Sequence, residues 1–490
     1  MATLWALLLF SVSMFSAVIE QGTKIVDVFH LIILETDIGF TLRFDALSSL
    51  IFLMVIILGL VIGHFSKRYL DGEKRQDYFY KHMLGIILSV SGLVLSNNLL
   101  MFFVLWSLSG FHLHKLLLFY PERPKAVLAT RKKKFIGRIG DVSILGATLL
   151  LLATYGTSDL SEILSSSRTF SSHFITEIFG ILLVFGAVAK SAQFPFHFWL
   201  PDTMESPTPV SAIMHAGVIN AGGFLIIRFS PLLEQAYIAH GMLIIIGAFT
   251  ATYAALVMTT QNNIKRKLAF STISQMGIML FACGLGAYPL ALVHIVAHSF
   301  YKAHAFMHTG SLVEESKKLS LKLTPLPSPI FFTLVVAGLA IIYTGYNMWD
   351  GLFLHICSYA AIMFFSIAQN WFKRPSTHVS VRVPMVRILG LLLLGFTGYL
   401  FIEIEITRFL LEIIPSSQTT AAMSKANLAA ILIAFILFTT GFFMSGRMST
   451  LKTPFYKRLY MHFWNGGYLG PKTDFILSKY WSGPPKKEKA

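Results

Sequence analysis

Long apolar stretches separated by short polar segments recur along the whole chain. They lie near residues 2–19, 45–63, 82–96, 98–119, 139–154, 176–193, 207–229, 240–258, 267–286, 287–312, 328–348, 350–371, 386–411 and 427–446. Most approach the ~20 residues that an α-helix needs to cross the hydrocarbon core of a bilayer. The pattern predicts an all-α polytopic membrane protein with about fourteen transmembrane helices.

Composition supports this prediction. Of the 490 residues, 55% are hydrophobic and only 13% are charged, and the mean hydropathy is +0.66. Soluble domains carry roughly 25% charged residues. The two cysteines, Cys283 and Cys357, are too few for a disulfide framework or a cysteine-ligated iron–sulfur cluster. We expect no cofactor in this chain, although histidine-ligated haem stays open on cysteine count alone.

The net charge of +16 lies almost wholly in short loops predicted between the apolar stretches. These segments are 64–76, 121–134, 262–267, 315–322, 372–387 and the C-terminal tail. An even number of predicted helices, or none, separates each from the next, so all of them face one side of the membrane. The positive-inside rule makes that side cytoplasmic, which predicts a multi-pass protein of the cell (inner) membrane. Nucleic acid is a less fitting partner, because the predicted helices interrupt the basic segments.

The chain is predicted to have two parts. Residues 1–446 form the transmembrane domain, and the first apolar stretch is taken as a membrane helix because no basic region precedes it, as it would in a signal peptide. Residues 447–490 mix aromatic and basic side chains too closely for a membrane helix. They predict an amphipathic segment, either interfacial or packed on a partner subunit, followed by a basic tail.

Ionisable residues inside apolar stretches are the main indication of function. They are Lys190, His215, His294, His298 and Lys302. A charge at the centre of a membrane helix costs about 2.5–3.5 kcal/mol on insertion scales, so such residues usually serve an ion or proton pathway. Two structural alternatives stay open: a lysine that extends to the interface, and a histidine that only packs and hydrogen-bonds.

The segment after Lys190 predicts a broken helix. Pro195 lacks an amide proton and clashes with the carbonyl of Ser191, and Pro201 has the same effect at His197. Non-helical backbone at membrane depth occurs only inside protein or beside a water-filled cavity. Many transporters build their ion sites at such breaks, so Lys190 is placed where it can bind and release a proton.

His294, His298 and Lys302 are spaced at i, i+4 and i+8. At ~100° and ~1.5 Å per residue they form one stripe about 12 Å long on a helix. Histidine exchanges protons at cellular pH, so the stripe suits proton transfer. His304 and His308 belong to another face. The HxxxH spacing also permits zinc, but no acidic third ligand accompanies it.

Three segments carry a family resemblance: KSAQFPFHFWLPDTMESPTPVSAIMHAGVINAGGFLIIR, NNIKRKLAFSTISQMGIM and ALVHIVAHSFYKAHAFMHTGS. They resemble the proton-translocating antiporter-like subunits of respiratory complex I and of Mrp-type cation/proton antiporters, over roughly residues 40–315. The resemblance implies two inverted five-helix repeats and a central lysine on a broken helix, here Lys190. It also implies that His215, on the next helix, leads to His294, His298 and Lys302 in the second repeat.

The chain departs from this family at the helix NNLLMFFVLWSLSGFHLHKLLLFY. The family places a glutamate after a tryptophan, and this chain has Ser107 there. We hypothesise that His112 and His114, on the same helix, adjust this entry region instead, so that Ser107→Glu would alter activity.

A second departure lies later in the chain. The family's Ser-Lys-Asp element has no visible equivalent, and the corresponding segment offers only Asp350 and His355. Glu403 and Glu405 are further candidates for an acidic group, and an exposed helix end explains them nearly as well.

Within the superfamily, the segments around Lys190 and His298 look most like the DabB family of membrane subunits from two-component inorganic carbon systems. That family is paired with DabA, a zinc protein similar to β-carbonic anhydrases. The resemblance implies that H⁺ or Na⁺ flux through this chain drives CO₂ hydration to bicarbonate in the partner. The chain is then a transport subunit and no enzyme, with zinc in the partner. Alternatives are an Mrp-type antiporter subunit, a complex I-type proton-pumping subunit, or a structural anchor.

Overall fold

The computed structural model describes residues 2–33, 36–166, 173–233, 235–310, 425–447 and 453–481. Within these ranges, nine helices are long and apolar enough to cross a membrane. The chain is thus a multi-pass membrane protein. Three predicted helices, at 328–348, 350–371 and 386–411, lie outside the described residues, as do Asp350, His355, Glu403, Glu405 and Cys357. The total of fourteen helices and the two inverted repeats therefore stay predictions.

The described part is mostly helical. Its first helices are α1 (Ala2–Gln21), α2 (Ala46–Tyr69), α3 (Gln76–Leu95), α4 (Leu99–Leu117), α5 (Pro124–Tyr155), α6 (Leu160–Ser166) and α7 (His173–Lys190). After a non-helical break follow α8 (Thr208–Ala216), α9 (Ala221–Arg228), α10 (Ser230–Leu233), α11 (Tyr237–Thr260), α12 (Ile264–Gly284) and α13 (Tyr288–Met307). The last described helices are α14 (Lys425–Arg447), α15 (Pro454–Trp464) and α16 (Leu469–Trp481).

An antiparallel hairpin separates α1 from α2. Its strands are β1 (Lys24–Ile33) and β2 (Thr36–Phe44), with an irregularity in the register between Asp27 and Phe29. Both strands are rich in β-branched and aromatic residues, which favour extended backbone. The all-α prediction is therefore wrong for this segment. It missed the hairpin because a search for stretches of ~20 apolar residues does not detect strands about half as long.

The hairpin is tied to the helices by a buried ion pair at Asp45. This residue caps the N-terminus of α2, where its side chain accepts a hydrogen bond from the Ser48 amide at 2.9 Å. It also contacts Arg43 Nε at 2.9 Å and both terminal nitrogens of Arg228. Burial raises the pKa of the Asp45 carboxyl, but the charges of Arg228 and Arg43 outweigh it, so the pKa lies well below its ordinary value. Asp45 therefore joins β2, α2 and α9.

The basic stretch 121–134 was predicted as a loop, which is wrong from Pro124 onward. Helix α5 begins there, because proline is favourable in the first helical turn and the following alanines, lysines and arginines are good helix formers. Lys132 is only 1% exposed and contacts Asp202 and Asp474 at 2.5 Å each. Lys132 thus holds the C-terminal helix α16 against the segment that follows the broken helix.

Small residues allow α11 and α12 to pack closely. A Cβ atom added to Gly247 would lie 2.7 Å from the carbonyl oxygen of Gly277, and one added to Gly277 would lie 2.7 Å from the Ala251 amide nitrogen. Such glycines let membrane helices approach until their backbones touch. Helix α12, held against α11 in this way, packs with its other residues against α13.

The C-terminal helices α15 and α16 follow α14. The Gln261 amide, between α11 and α12, donates to the carbonyl oxygen of Trp464 at 3.2 Å, and Asp474 in α16 pairs with Lys132. The segment therefore packs on the basic ends of the helices. The division of the chain at residue 447 into two domains stays a prediction.

We predict that Asp45→Ala destabilises the protein by about 3–5 kcal/mol, because it leaves Arg228 as a buried charge without its carboxylate. Thermal unfolding in detergent measures this, with Asp71→Ala in the exposed loop after α2 as the control. Adding Arg228→Met to Asp45→Ala should cost less than the sum of the single changes. Additive costs, or a melting temperature equal to that of the control, would contradict the ion pair's role.

We also predict that Lys132→Met loosens α16. The methionine fills the space of the lysine stem but removes the cation shared by Asp202 and Asp474. Amide hydrogen exchange over Leu469–Trp481 should then become faster. Lys125→Met, an exposed position on the same helix, is the matched control and should leave exchange there unchanged. Equal exchange in both variants would show that the ion pairs do not hold the segment.

Candidate functional site

Helix α7 ends at Lys190, five residues before the predicted break at Pro195. The Ser191 amide donates to the Ala187 carbonyl at 2.8 Å, and the Gln193 amide donates to the Val188 carbonyl at 2.9 Å. Between them Ala192 has a φ of 51°, in the left-handed region. Two 3₁₀ segments, Phe196–Trp199 and Pro201–Glu205, then lead to α8. The lysine therefore occupies the last helical turn beside irregular backbone.

The Lys190 ammonium is held by α4. Its Nζ donates to Ser109 Oγ at 2.8 Å and to the Trp106 carbonyl at 3.1 Å, and it lies 4.3 Å from the centre of the Trp106 ring. These contacts satisfy part of its hydrogen-bonding capacity inside the protein and add a cation–π interaction. The Lys190 side chain is therefore held against α4 within the helix bundle.

Lys190 lines a cavity of about 660 Å³ between α4, α5 and α7. The cationic side chains around it are Lys115, Lys133, Lys134, Arg138 and Lys190. Lys133 Nζ also donates to the Gly110 carbonyl of α4, and its charge is close enough to interact with that of Lys190. We call this space the Lys190 cavity.

Asp141 of α5 also lines the Lys190 cavity and interacts electrostatically with Lys190. It is the only carboxylate among the lining residues in the described part of the chain. The sequence analysis missed it, although a carboxylate at the start of the apolar stretch 139–154 was a usable signal. Helix α5 thus supplies a negative charge near Lys190 in a chain whose α4 carries Ser107.

His112 and His114 face different surroundings. His114 and Ser107 line the Lys190 cavity. His112 points to α3 instead, where its Nδ1 lies 3.0 Å from Nδ1 of His82. His114 thus lines the Lys190 cavity and His112 does not. The role expected of the two histidines at an entry region stays a prediction.

A second cluster forms around Lys302 of α13, which is fully buried. Its Nζ donates to Ser271 Oγ at 3.0 Å and to the Leu268 carbonyl at 3.2 Å. His215 of α8, also fully buried, shares a hydrogen bond with Thr272 Oγ1 at 3.0 Å through Nδ1. Lys302 and His215 therefore both contact α12.

The predicted stripe on α13 leads away from Lys302. The rings of His294 and His298 are nearly parallel, with centroids 6.0 Å apart. His298 is close enough to Lys302, His294 and His215 for their charges to interact. His304 and His308 pair separately near the end of the helix, with ring centroids 4.4 Å apart. The structure thus brings together four of the five predicted residues, His215, His294, His298 and Lys302.

A short hydrogen-bonded turn lies between the Lys190 cavity and this second cluster. The apolar stretch 207–229 was predicted as one helix, but a 3₁₀ turn at Val218–Asn220 interrupts it after Gly217, which has poor helix propensity. Ser191 Oγ donates to the Ile219 carbonyl at 2.8 Å. The Asn220 side chain donates to Ser299 Oγ at 2.6 Å. Hydrogen bonds therefore link the residue after Lys190 to the turn, and the turn to the residue after His298.

The HxxxH spacing of His294 and His298 would need further ligands nearby to bind a metal ion. Among the residues that the structure describes, no three His, Cys, Asp or Glu side chains are grouped closely enough to hold a metal ion.

Two family models match the chain. A family model for the transmembrane region of NADH:quinone oxidoreductase and Mrp antiporters matches residues 96–326. A model for the N-terminus of complex I chain 5 matches residues 31–80. A probable inorganic carbon transporter subunit, DabB2 of Halothiobacillus neapolitanus, is 34% identical over 458 residues, which cover 91% of this chain and 81% of that protein.

The chain belongs to the DabB family. A second member, a probable inorganic carbon transporter subunit DabB of Hydrogenovibrio crunogenus, is 42% identical over 277 residues, or 56% of this chain. The match spans only 54% of the length of that DabB protein.

A solved Mrp complex from Dietzia sp. has the same fold. It superposes with a TM-score of 0.59 at 23% identity, over 98% of this chain and 54% of the matched one. At this identity the likeness concerns the fold alone. It places this DabB-family chain in the architecture shared by antiporter-like membrane subunits.

Proposed function

We propose that this chain is the ion-conducting membrane subunit of an inorganic carbon uptake complex. The observation that carries the proposal is the Lys190 cavity connected through a hydrogen-bonded turn to a buried histidine–lysine cluster. Membership of the DabB family, whose named members are probable inorganic carbon transporter subunits, supports the carbon substrate. Buried lysines and histidines at broken helices suit ion exchange across a membrane.

The ion path starts at the Lys190 cavity. Lys190 exchanges a proton with water in the cavity, and Asp141 stabilises its charged form. The turn at Val218–Asn220 couples the gain or loss of a proton at Lys190 to α13, through the Asn220–Ser299 hydrogen bond. His298 and Lys302 then accept and release protons, with His215 and His294 adjusting their charge balance. Histidine's ability to take either protonation state makes it suitable for this role.

The proton fits the cavity better than sodium does. A sodium ion requires several oxygen ligands, and five cationic side chains face the space that it would enter, against one carboxylate. Repulsion between like charges is strong where water is limited. A proton passes between cavity water and a side chain that accepts it, and so needs no such set of oxygen ligands.

The chemistry of carbon dioxide hydration is assigned to a partner of the DabA type, a zinc protein related to carbonic anhydrase. The partner would dock on the basic side of the membrane, where α15 and α16 pack. Lys132 links α16 to Asp202 beyond the broken helix, so the contact surface and the Lys190 cavity share helix α5.

An Mrp-type or complex I-type role remains the alternative, because the family model that matches residues 96–326 covers both groups. In an Mrp-type role the chain exchanges sodium for protons without a zinc partner. In a complex I-type role it assembles with redox subunits. Co-purified partners and bound zinc distinguish the three.

The test is carbon-dependent growth of cells that lack carbonic anhydrase and express this chain with its partner. Lys190→Ala and Lys302→Ala should each abolish growth in air and uptake of labelled inorganic carbon, because each removes an exchange group from the path. Both should grow normally at high CO₂. Lys125→Ala, an exposed position on α5, is the control and should behave like the wild type.

Immunoblots of the membranes should show equal amounts of all variants. Uptake that persists in both Lys190→Ala and Lys302→Ala would contradict ion conduction and leave the chain as an anchor for its partner.

A further inference from the structure

The Lys190 cavity has a charge balance that proton conduction alone does not explain. Five cationic side chains and one carboxylate line it, and Lys133 and Lys190 are close enough for their charges to interact. Like charges that share a confined space repel each other, and the repulsion grows as water is excluded. The cavity is therefore suited to a bound negative charge.

Two residues of the cavity lining also carry buried polar atoms without a hydrogen-bond partner in the protein. Ser107 Oγ and His114 Nδ1 are buried and have no hydrogen-bond partner in the protein, and both residues line the cavity. Buried polar atoms are nearly always satisfied by protein, water or a bound group. These two atoms lie on the α4 wall, the wall that also holds the Lys190 ammonium.

The lysines keep donors available for a ligand. Lys190 Nζ makes two of the three hydrogen bonds that an ammonium can donate, to Ser109 and Trp106. Lys133 Nζ donates to the Gly110 carbonyl, which leaves further N–H groups on that nitrogen. The two ammonium groups therefore present donors and positive charge to one cavity, whose lining includes Ser107. A carboxylate-like anion with several acceptor oxygens matches this arrangement.

We propose that the Lys190 cavity binds a small carboxylate-like oxyanion, with bicarbonate as its physiological form. The anion would sit beside Ser107, where its charge offsets Lys133, Lys190 and the cations at the mouth. Anion binding itself rests on the cavity's geometry, while the choice of bicarbonate rests on the proposed function. The bound anion would make the charge state of Lys190 depend on the concentration of inorganic carbon.

Binding is measured on the full-length chain with its partner, in nanodiscs of zwitterionic phosphatidylcholine. The probe is ¹³C-labelled bicarbonate, titrated at constant ionic strength and followed by broadening of its NMR line. Formate, a smaller carboxylate, should compete for the site. Because the partner also meets bicarbonate, the relevant quantity is the difference between the wild type and variants of this chain.

Ser107→Glu places a fixed carboxylate in the cavity and should weaken bicarbonate binding by about tenfold or more, since like charges at short range cost several kcal/mol. Ser107→Ala is its control and should lose much less. Asp141→Asn should change affinity in the opposite direction, because it removes the one negative charge of the lining. If these positions had only a structural role, the two substitutions would not change bicarbonate affinity in opposite directions.

Two further variants keep the test decisive if Ser107→Glu does not fold. Arg138→Gln removes an exposed cation at the cavity mouth and should weaken binding, whereas Lys125→Gln, on the same helix outside the cavity, should not. Equal line broadening in all these variants would overturn the proposal. So would displacement of bicarbonate by anionic phosphatidylglycerol but not by formate, which would assign the cavity to a lipid headgroup.

The anion site and the ion path can be tested separately. Carbon uptake that requires Lys190 and Lys302 but shows no anion binding would refute the oxyanion site alone. Anion binding in a protein that needs neither lysine for uptake would refute the proposed function and keep the site.

Discussion

Charged groups buried among membrane helices must be paired or hydrogen-bonded within the protein, because neither lipid nor a dry interior solvates them. This requirement organises the described structure. Asp45 joins the hairpin to two helices through Arg43 and Arg228. Lys132 joins the C-terminal helix to the segment after the broken helix. Lys190 and Lys302 instead donate hydrogen bonds to neutral oxygens.

The distinction between these lysines has a functional meaning. A lysine that forms ion pairs with carboxylates, as Lys132 does with Asp202 and Asp474, holds two segments of the chain together. Lys190 and Lys302, held by hydroxyl and carbonyl oxygens, are the lysines that the proposed function assigns to proton exchange. Lys132 and the Lys190 cavity share helix α5, which carries Lys132 and also forms part of the cavity wall.

Much of this arrangement followed from sequence patterns. Helical periodicity placed His294, His298 and Lys302 on one face, and the prolines after Lys190 indicated the break. The start of α5 and the hairpin were missed, because basic residues form helices as well as loops and short strands lack a long hydrophobic signature. The meeting of His215 with Lys302, and of Asp141 with Lys190, depends on how separate helices pack, which one sequence does not specify.

The turn at Val218–Asn220 shows a further limit of sequence patterns. It begins with two apolar residues, so it reads as part of a membrane helix. Glycines on both sides, Gly217 before the turn and Gly222 and Gly223 after it, lower the local helix propensity and allow the chain to leave that helix for one turn. The interruption frees backbone carbonyls that Ser191 then reaches. A local weakness in helix propensity thereby becomes the connection between the two clusters.

The most direct test of ion conduction is proton flux in liposomes that contain the full-length chain and its partner. An imposed membrane potential drives the ion, and an internal dye reports pH. The account predicts proton entry without added sodium, abolished by Lys190→Met and retained in Lys125→Met. A flux that requires sodium, or one that is equal in the two variants, would contradict the central role of the Lys190 cavity.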